Sequence, residues 1–169
     1  MRVMTASFRV AVVTALALAA VHLPALANDF VPEQVFSGRT TGEGTLDLLF
    51  GKPRPLTVES MGRLRPDGVF VLEQTIDIAG RPTEARTWRM RQTGPSKYSA
   101  TLSDAAGPVE ARVDGATMTL RYPLTRWGLS MHQRLKLADD GRTVANRGRI
   151  KFFGVPVGEL RETIWLQPE

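Results

Sequence analysis

The sequence predicts an all-β domain, an antiparallel up-and-down β-barrel of about nine or ten strands. Apolar and polar residues alternate with a period of two along most of the chain, the signature of strands with one dry and one wet face. Short Gly-, Pro- and Asp-bearing turn signals separate these runs, as tight hairpins require. No stretch supports an amphipathic helix longer than two or three turns.

An export signal is expected ahead of the first strand. Arg2 and Arg9 supply positive charge, Val10 to Val21 is apolar apart from Thr14, and Pro24-Ala25-Leu26-Ala27 ends in an Ala-x-Ala cleavage pattern. This apolar core is too short for a spanning helix, which needs roughly 20 residues. Residues 1–27 are therefore read as a secretory signal cleaved after Ala27, and residues 28–169 as one β-barrel domain, expected in the periplasm. The full chain carries 22 Lys+Arg against 17 Asp+Glu, and loss of Arg2 and Arg9 leaves a mild, scattered excess. That balance argues against a nucleic-acid partner, which calls for a clustered basic face. The chain has no cysteine, so disulfides, thiolate nucleophiles and thiolate metal sites are excluded. A domain of this size can bury a core without such staples.

Strands are expected near 42–50, 55–64, 69–79, 83–92, 97–103, 108–113, 116–123, 129–137, 143–152 and 157–166. Pro32 to Phe36 could form a short helical turn plugging one end. Gly42-Glu43-Gly44-Thr45 superficially suggests a phosphate loop, but the third glycine and the following helix are missing. Glycines relieving crowding at a strand start or barrel corner explain it better. In the third strand Phe70, Leu72, Gln74, Ile76 and Ile78 share the dry parity. In the fourth, Arg86, Trp88 and Met90 share one. Met118, Leu120 and Tyr122 follow in the seventh, and Leu129, Met131, Gln133, Leu135 and Leu137 in the eighth. Val144, Asn146, Gly148, Ile150 and Phe152 complete the pattern in the ninth. The turns are Pro66-Asp67-Gly68, Ala79-Gly80-Arg81-Pro82, Thr93-Gly94-Pro95-Ser96, Asp114-Gly115 and Asp139-Asp140-Gly141. A meander this long must manage its edges, and closure removes them. A lipocalin-like barrel able to hold one small ligand is the favoured architecture, with a flattened sandwich as the alternative.

The runs Leu72-Glu73-Gln74, Gly80-Arg81-Pro82, Arg86 to Met90, Tyr98-Ser99-Ala100, Asp104 to Gly107, Tyr122-Pro123-Leu124, Asn146 to Gly154 and Val157-Gly158-Glu159 stand in a recognisable order. Together they resemble a family of uncharacterised bacterial envelope proteins, commonly labelled lipoproteins of unknown function, over about residues 36–166. The resemblance implies a calycin-type barrel in the cell envelope and no particular reaction. Members of that family are often encoded near lipid-modifying enzymes, so the resemblance also favours an acyl or lipid ligand. Two departures stand out. The lipobox cysteine is missing, and Arg126-Trp127-Gly128-Leu129-Ser130-Met131-His132 replaces an acidic pair, so no role of those carboxylates carries over.

The residues themselves bear little catalytic chemistry. His132 is the one histidine left after loss of His22, and its parity with Arg134 and Lys136 reads as surface; a general base is the sharper alternative. No Gly-x-Ser-x-Gly elbow supports a Ser-His-Asp triad. No catalytic residue, metal or cofactor is assigned. Arg86 could clamp a carboxylate or phosphate, or could lie at the rim or in an internal ion pair. Gln74, Tyr122 and Asn146 could orient a head group or satisfy neighbouring backbone. Arg126-Trp127 offers a cation and an aromatic at one rim. Arg147, Arg149 and Lys151 form an outer basic stripe, either plain solvated surface or a membrane-facing one. The favoured function is binding of a small apolar or amphipathic ligand, such as a fatty acyl group. The expected ligand-binding residues are Phe70, Leu72, Gln74, Arg86, Trp88, Met118, Leu120, Tyr122 and Asn146, lining a pocket of at least about 300 Å³. A non-enzymatic envelope module with a filled core is the alternative. An enzyme acting on a lipid-like substrate is the third reading; it needs a carboxylate or His132 aimed into the pocket.

Overall fold

A computed structural model describes residues 29–167; the expected signal, residues 1–27, lies outside them. A one-turn helix α1 (Pro32–Val35) precedes ten strands. These are β1 (Gly38–Leu48), β2 (Arg54–Leu64), β3 (Phe70–Ile78), β4 (Glu84–Gly94), β5 (Lys97–Leu102), β6 (Val109–Asp114), β7 (Thr117–Pro123), β8 (Leu129–Leu137), β9 (Thr143–Phe152) and β10 (Val155–Leu166). Each strand pairs antiparallel with its sequence neighbours, and β1 pairs with β10, from Thr40↔Leu166 to Leu48↔Gly158, to close the barrel. The sandwich alternative is thereby set aside. Closure leaves no strand edge unpaired, and so no row of backbone groups open to pairing with another chain.

The period-two pattern becomes an inside and an outside. Phe70, Leu72, Trp88, Met90, Met118, Leu120, Met131, Leu135, Val144 and Ile150 point inward and are buried. Full burial of such a side chain contributes about 1.5–3 kcal/mol. Phe152, expected on the same inward parity as Ile150, is instead exposed. It is the last residue of β9, beyond the filled interior, and leans edge-to-face on Phe153 at 4.7 Å.

The first strand starts at Gly38, earlier than expected, and the Gly42–Thr45 segment lies in its middle rather than at a strand start. Crowding still explains the glycines. A Cβ on Gly44 would overlap the Arg161 carbonyl, and one on Gly42 would overlap the Glu162 carboxylate.

Helix α1 plugs the end at which β1 begins. Phe30 N–H donates to Gly115 O at 2.9 Å, and Phe30 meets Phe36 edge-to-face at 5.8 Å. Val35 and Phe36 are buried in the core. Gly62 makes room for them: any Cβ there would overlap the Phe36 carbonyl and press on the Phe70 ring. The Tyr98 hydroxyl donates to Glu33 Oε2 at 3.2 Å and ties the plug to β5. The opposite end carries the β1–β2, β3–β4, β5–β6, β7–β8 and β9–β10 loops.

Candidate ligand-binding site

The barrel interior is apolar except for one polar cluster, and strand register assembles much of it. Thr40 pairs with Ser60, Ser60 with Gln74, and Gln74 with Arg86, so four inward polar residues stand side by side across β1 to β4. Gln74 is the hub. Its Oε1 accepts from Arg86 Nε at 2.9 Å and from Trp88 Nε1 at 2.8 Å, while its Nε2 donates to Ser60 Oγ at 3.0 Å. The Arg86 guanidinium also lies 5.8 Å from the Trp88 ring centroid, within cation–π range.

A second group faces it. Asn146 pairs with Glu162 across β9 and β10, and Asn146 Nδ2 donates to Glu162 Oε2 at 2.8 Å. Burial pushes the Glu162 carboxyl above the usual carboxylate range; the Asn146 hydrogen bond and the Arg86 charge oppose that rise without cancelling it. Tyr122 donates to Gln133 Oε1 at 3.2 Å and packs edge-to-face on Trp88 at 5.4 Å. Burial likewise raises the Tyr122 phenol, with Arg86 pulling it back. Among the described residues Arg86 has no ion-pair partner. Its charge is therefore held by a neutral amide, an aromatic face and the field of a carboxyl that burial disfavours as an anion.

Between these groups lies a cavity with about 30 Å³ of room for the centre of a water molecule. At roughly 10–15 Å³ per water this holds two or three. The hollow of about 300 Å³ expected from a lipocalin-like barrel is thus occupied by interdigitated side chains. Two buried polar atoms, Thr40 Oγ1 and Asn146 Oδ1, have no hydrogen-bond partner among the described protein atoms, and both residues line this cavity. Leaving such an atom unpaired costs about 1–3 kcal/mol.

Seven of the nine residues expected to bind a ligand line the cavity: Leu72, Gln74, Arg86, Trp88, Met118, Leu120 and Asn146. Phe70 and Tyr122 do not. Phe70 packs beneath, over Gly62 at the plug, and Tyr122 sits behind Trp88. The lining also includes Thr40, Ser60, Gln133 and Glu162, which the sequence reading did not single out. Parity alone would have exposed Glu162, since it interrupts the inward series Leu160, Ile164, Leu166. His132 stands on the outer wall between Arg121 and Arg149. Partial burial and the neighbouring Lys151 and Arg121 charges lower its pKa. It cannot serve as a base inside the barrel. Among the described residues no group of three or more His, Asp or Glu is placed to hold a metal ion.

Comparison with known proteins bears on the fold and the family. The S-type phycobiliprotein lyase CPES from Guillardia theta superposes with a TM-score of 0.61 at 9% identity, covering 79% of this chain and 89% of its own. That likeness supports the lipocalin-like barrel. No curated protein matches the chain. Residues 12–166 match the model of a family described as "Protein of unknown function (DUF3833)".

Proposed function

We propose that this chain, which belongs to the DUF3833 family of unknown function, is a binding protein for the polar end of a small amphipathic molecule. In this reading the protein is exported to the periplasm, its signal cleaved after Ala27, and the ligand met there is acyl or lipid-like, suited to the apolar walls and the polar cluster of the interior. The observation that carries this reading is the polar lining: Thr40 Oγ1 and Asn146 Oδ1, which no protein group pairs, open onto the cavity beside Arg86, a cation without a counter-ion among the described residues. A core built only to be filled gains nothing from such groups, since burying an unpartnered polar atom destabilises the fold. A ligand carboxylate or phosphate would pair with the Arg86 guanidinium, and its hydroxyl or amide groups would meet Thr40 and Asn146. The apolar tail would have to displace packed side chains. Met90 and Met118 line the cavity, and unbranched methionines yield most easily.

The cluster suits holding better than turnover. Glu162 is a buried carboxyl with a raised pKa that lines the cavity, the group the enzyme reading asks for, but the described residues place no second acid or base beside it, only the Asn146 amide. The small size of the cavity favours a second reading, an envelope module with a filled core.

Native mass spectrometry of the gently purified protein separates the two. Binding predicts a co-purified small molecule, diminished in Arg86→Met, and a melting temperature raised by added fatty acid. A bare protein whose melting temperature ignores fatty acids and lysolipids would leave the filled core as the function.

A further inference from the structure

Six of the nine exposed large apolar side chains among the described residues, Leu49, Phe50, Trp127, Phe152, Phe153 and Val155, lie at the end of the barrel opposite the plug. They occupy only the β1–β2, β7–β8 and β9–β10 loops and adjoining strand ends. Those three loops are consecutive around the rim, because β10 lies between β1 and β9, and β9 pairs with β8. Backbone bonds lace them together: Phe153 N–H donates to Gly128 O at 3.0 Å, and Leu49 N–H to Val157 O at 2.9 Å. The Phe153 ring packs directly against Gly128. The result is one continuous apolar ridge on one side of the rim. The other two loops at this end, β3–β4 and β5–β6, add no exposed large apolar residue.

Two further observations say what covers the ridge. The first is charge. Lys52 and Arg126 lie on these loops and Lys151 at their base, and no acidic residue falls within 49–54, 124–128 or 151–157. Behind them the outer wall carries Arg121 and Arg149 with Glu110 and Glu159 as their facing carboxylates, and Asp47 opposite Glu159 is the acidic group nearest Leu49, so the cationic excess lies on the loops themselves. The second is strain. The two-residue β9–β10 turn places Phe153 at φ 46° and Gly154 at φ 86°, a conformation for which Asn-Gly is the usual choice. A bulky aromatic in the left-handed region, with its ring 75% exposed, serves neither the turn nor the core.

We infer that this ridge is a membrane-docking edge, whose aromatic tips enter the interfacial layer of an anionic lipid bilayer while the flanking cations meet the head groups. Phe50 and Trp127 are 89% and 81% exposed, so their side chains project into solvent. Side chains that stand so clear suit entry into a fluid phase better than shape-matched docking on a protein. Trp is the residue most at home at that depth, and the basic surround matches anionic lipid. Docking would turn the unplugged end of the barrel toward the bilayer. It does not depend on the cavity holding a ligand.

The test is co-sedimentation of the protein, purified after expression of the full chain, with vesicles of phosphatidylglycerol mixed with phosphatidylcholine, and with phosphatidylcholine alone. Binding to the mixed vesicles is expected, weakened by salt and by omitting phosphatidylglycerol, with Trp127 emission shifting to the blue. Phe153→Asn combined with Trp127→Ser should lower partitioning about tenfold or more while leaving the melting temperature unchanged or higher. Asn suits the left-handed turn at this position, and an unchanged or higher melting temperature separates lost binding from misfolding. Absence of binding to either vesicle, or undiminished binding by the double variant, would overturn the proposal. So would self-association abolished by the double variant without vesicle binding, which would assign the ridge to a second copy.

Discussion

Gly42 and Glu162 share one space inside the barrel: a Cβ at Gly42 would overlap Glu162 Oε1 and lie 3.1 Å from its Cδ. The missing side chain on β1 is what lets a carboxyl from β10 turn inward and meet Asn146. Gly42→Ala is therefore expected to cost about 1–3 kcal/mol, as overpacking a core does. Gly94→Ala, where the nearest atom would be 4.0 Å away, is the control and should cost far less. Urea denaturation measures both. Because the clash has a single partner, Glu162→Ala should absorb much of the Gly42→Ala penalty, a non-additivity that a double-mutant cycle reads directly.

The protonation of Glu162 links stability to pH. Its folded-state pKa is raised, chiefly by burial. The native state thus holds its proton more tightly than the unfolded chain. The stabilisation is fully present below the unfolded carboxyl's pKa and is lost as pH rises through the folded one. Glu162→Gln keeps an oxygen for Asn146 and removes the ionisation. The variant should melt higher than the parent at neutral pH, with the gain shrinking as the buffer is made acidic. A parallel pH profile for the two proteins would contradict the assignment.

About nine or ten strands were legible in the sequence because turn signals mark five of the connections and inward residues are overwhelmingly apolar. The failures have physical causes. Phe152 follows the inward parity of Ile150, but parity says nothing of where a strand outruns the core. Glu162 lay unread in the last strand although Leu160 and Ile164 flank it on the same face. Thr40 and Ser60 gain meaning only through pairing with each other and with Gln74, a long-range register that one strand's pattern does not contain. The cavity's size depends on how side chains from opposite walls interdigitate, and alternation carries no such information.

Both tyrosines of the chain should report the native state. Burial comes first for each; Tyr98, beside Glu33, is pushed up to about 12, and Tyr122 is also raised. Ultraviolet titration of the folded protein should show no phenolate step near pH 10, and unfolding in guanidinium should restore two. For these acids a raised folded value means stability present below pH 10 and lost above it. Tyr98→Phe should remove part of that alkaline loss and loosen α1, which hydrogen exchange at Val35 and Phe36 would register.

The Phe153 turn makes a prediction about the fold alone. A non-glycine residue in the left-handed region costs about 1–3 kcal/mol, and less for Asn. Phe153→Asn should therefore raise stability by about 1 kcal/mol in chemical denaturation. A destabilised variant would mean that the ring contributes to packing against Gly128 more than the backbone loses.

The most direct test of ligand binding follows the Trp88 indole, whose Nε1–H points at the Gln74 oxygen shared with Arg86. Titration with a fatty acid, monitored by NMR and assigned with Trp88→Phe, should move that indole proton saturably at one equivalent, and the response should vanish in Arg86→Met. An indole signal that stays fixed while only surface amides shift would show that nothing enters the barrel.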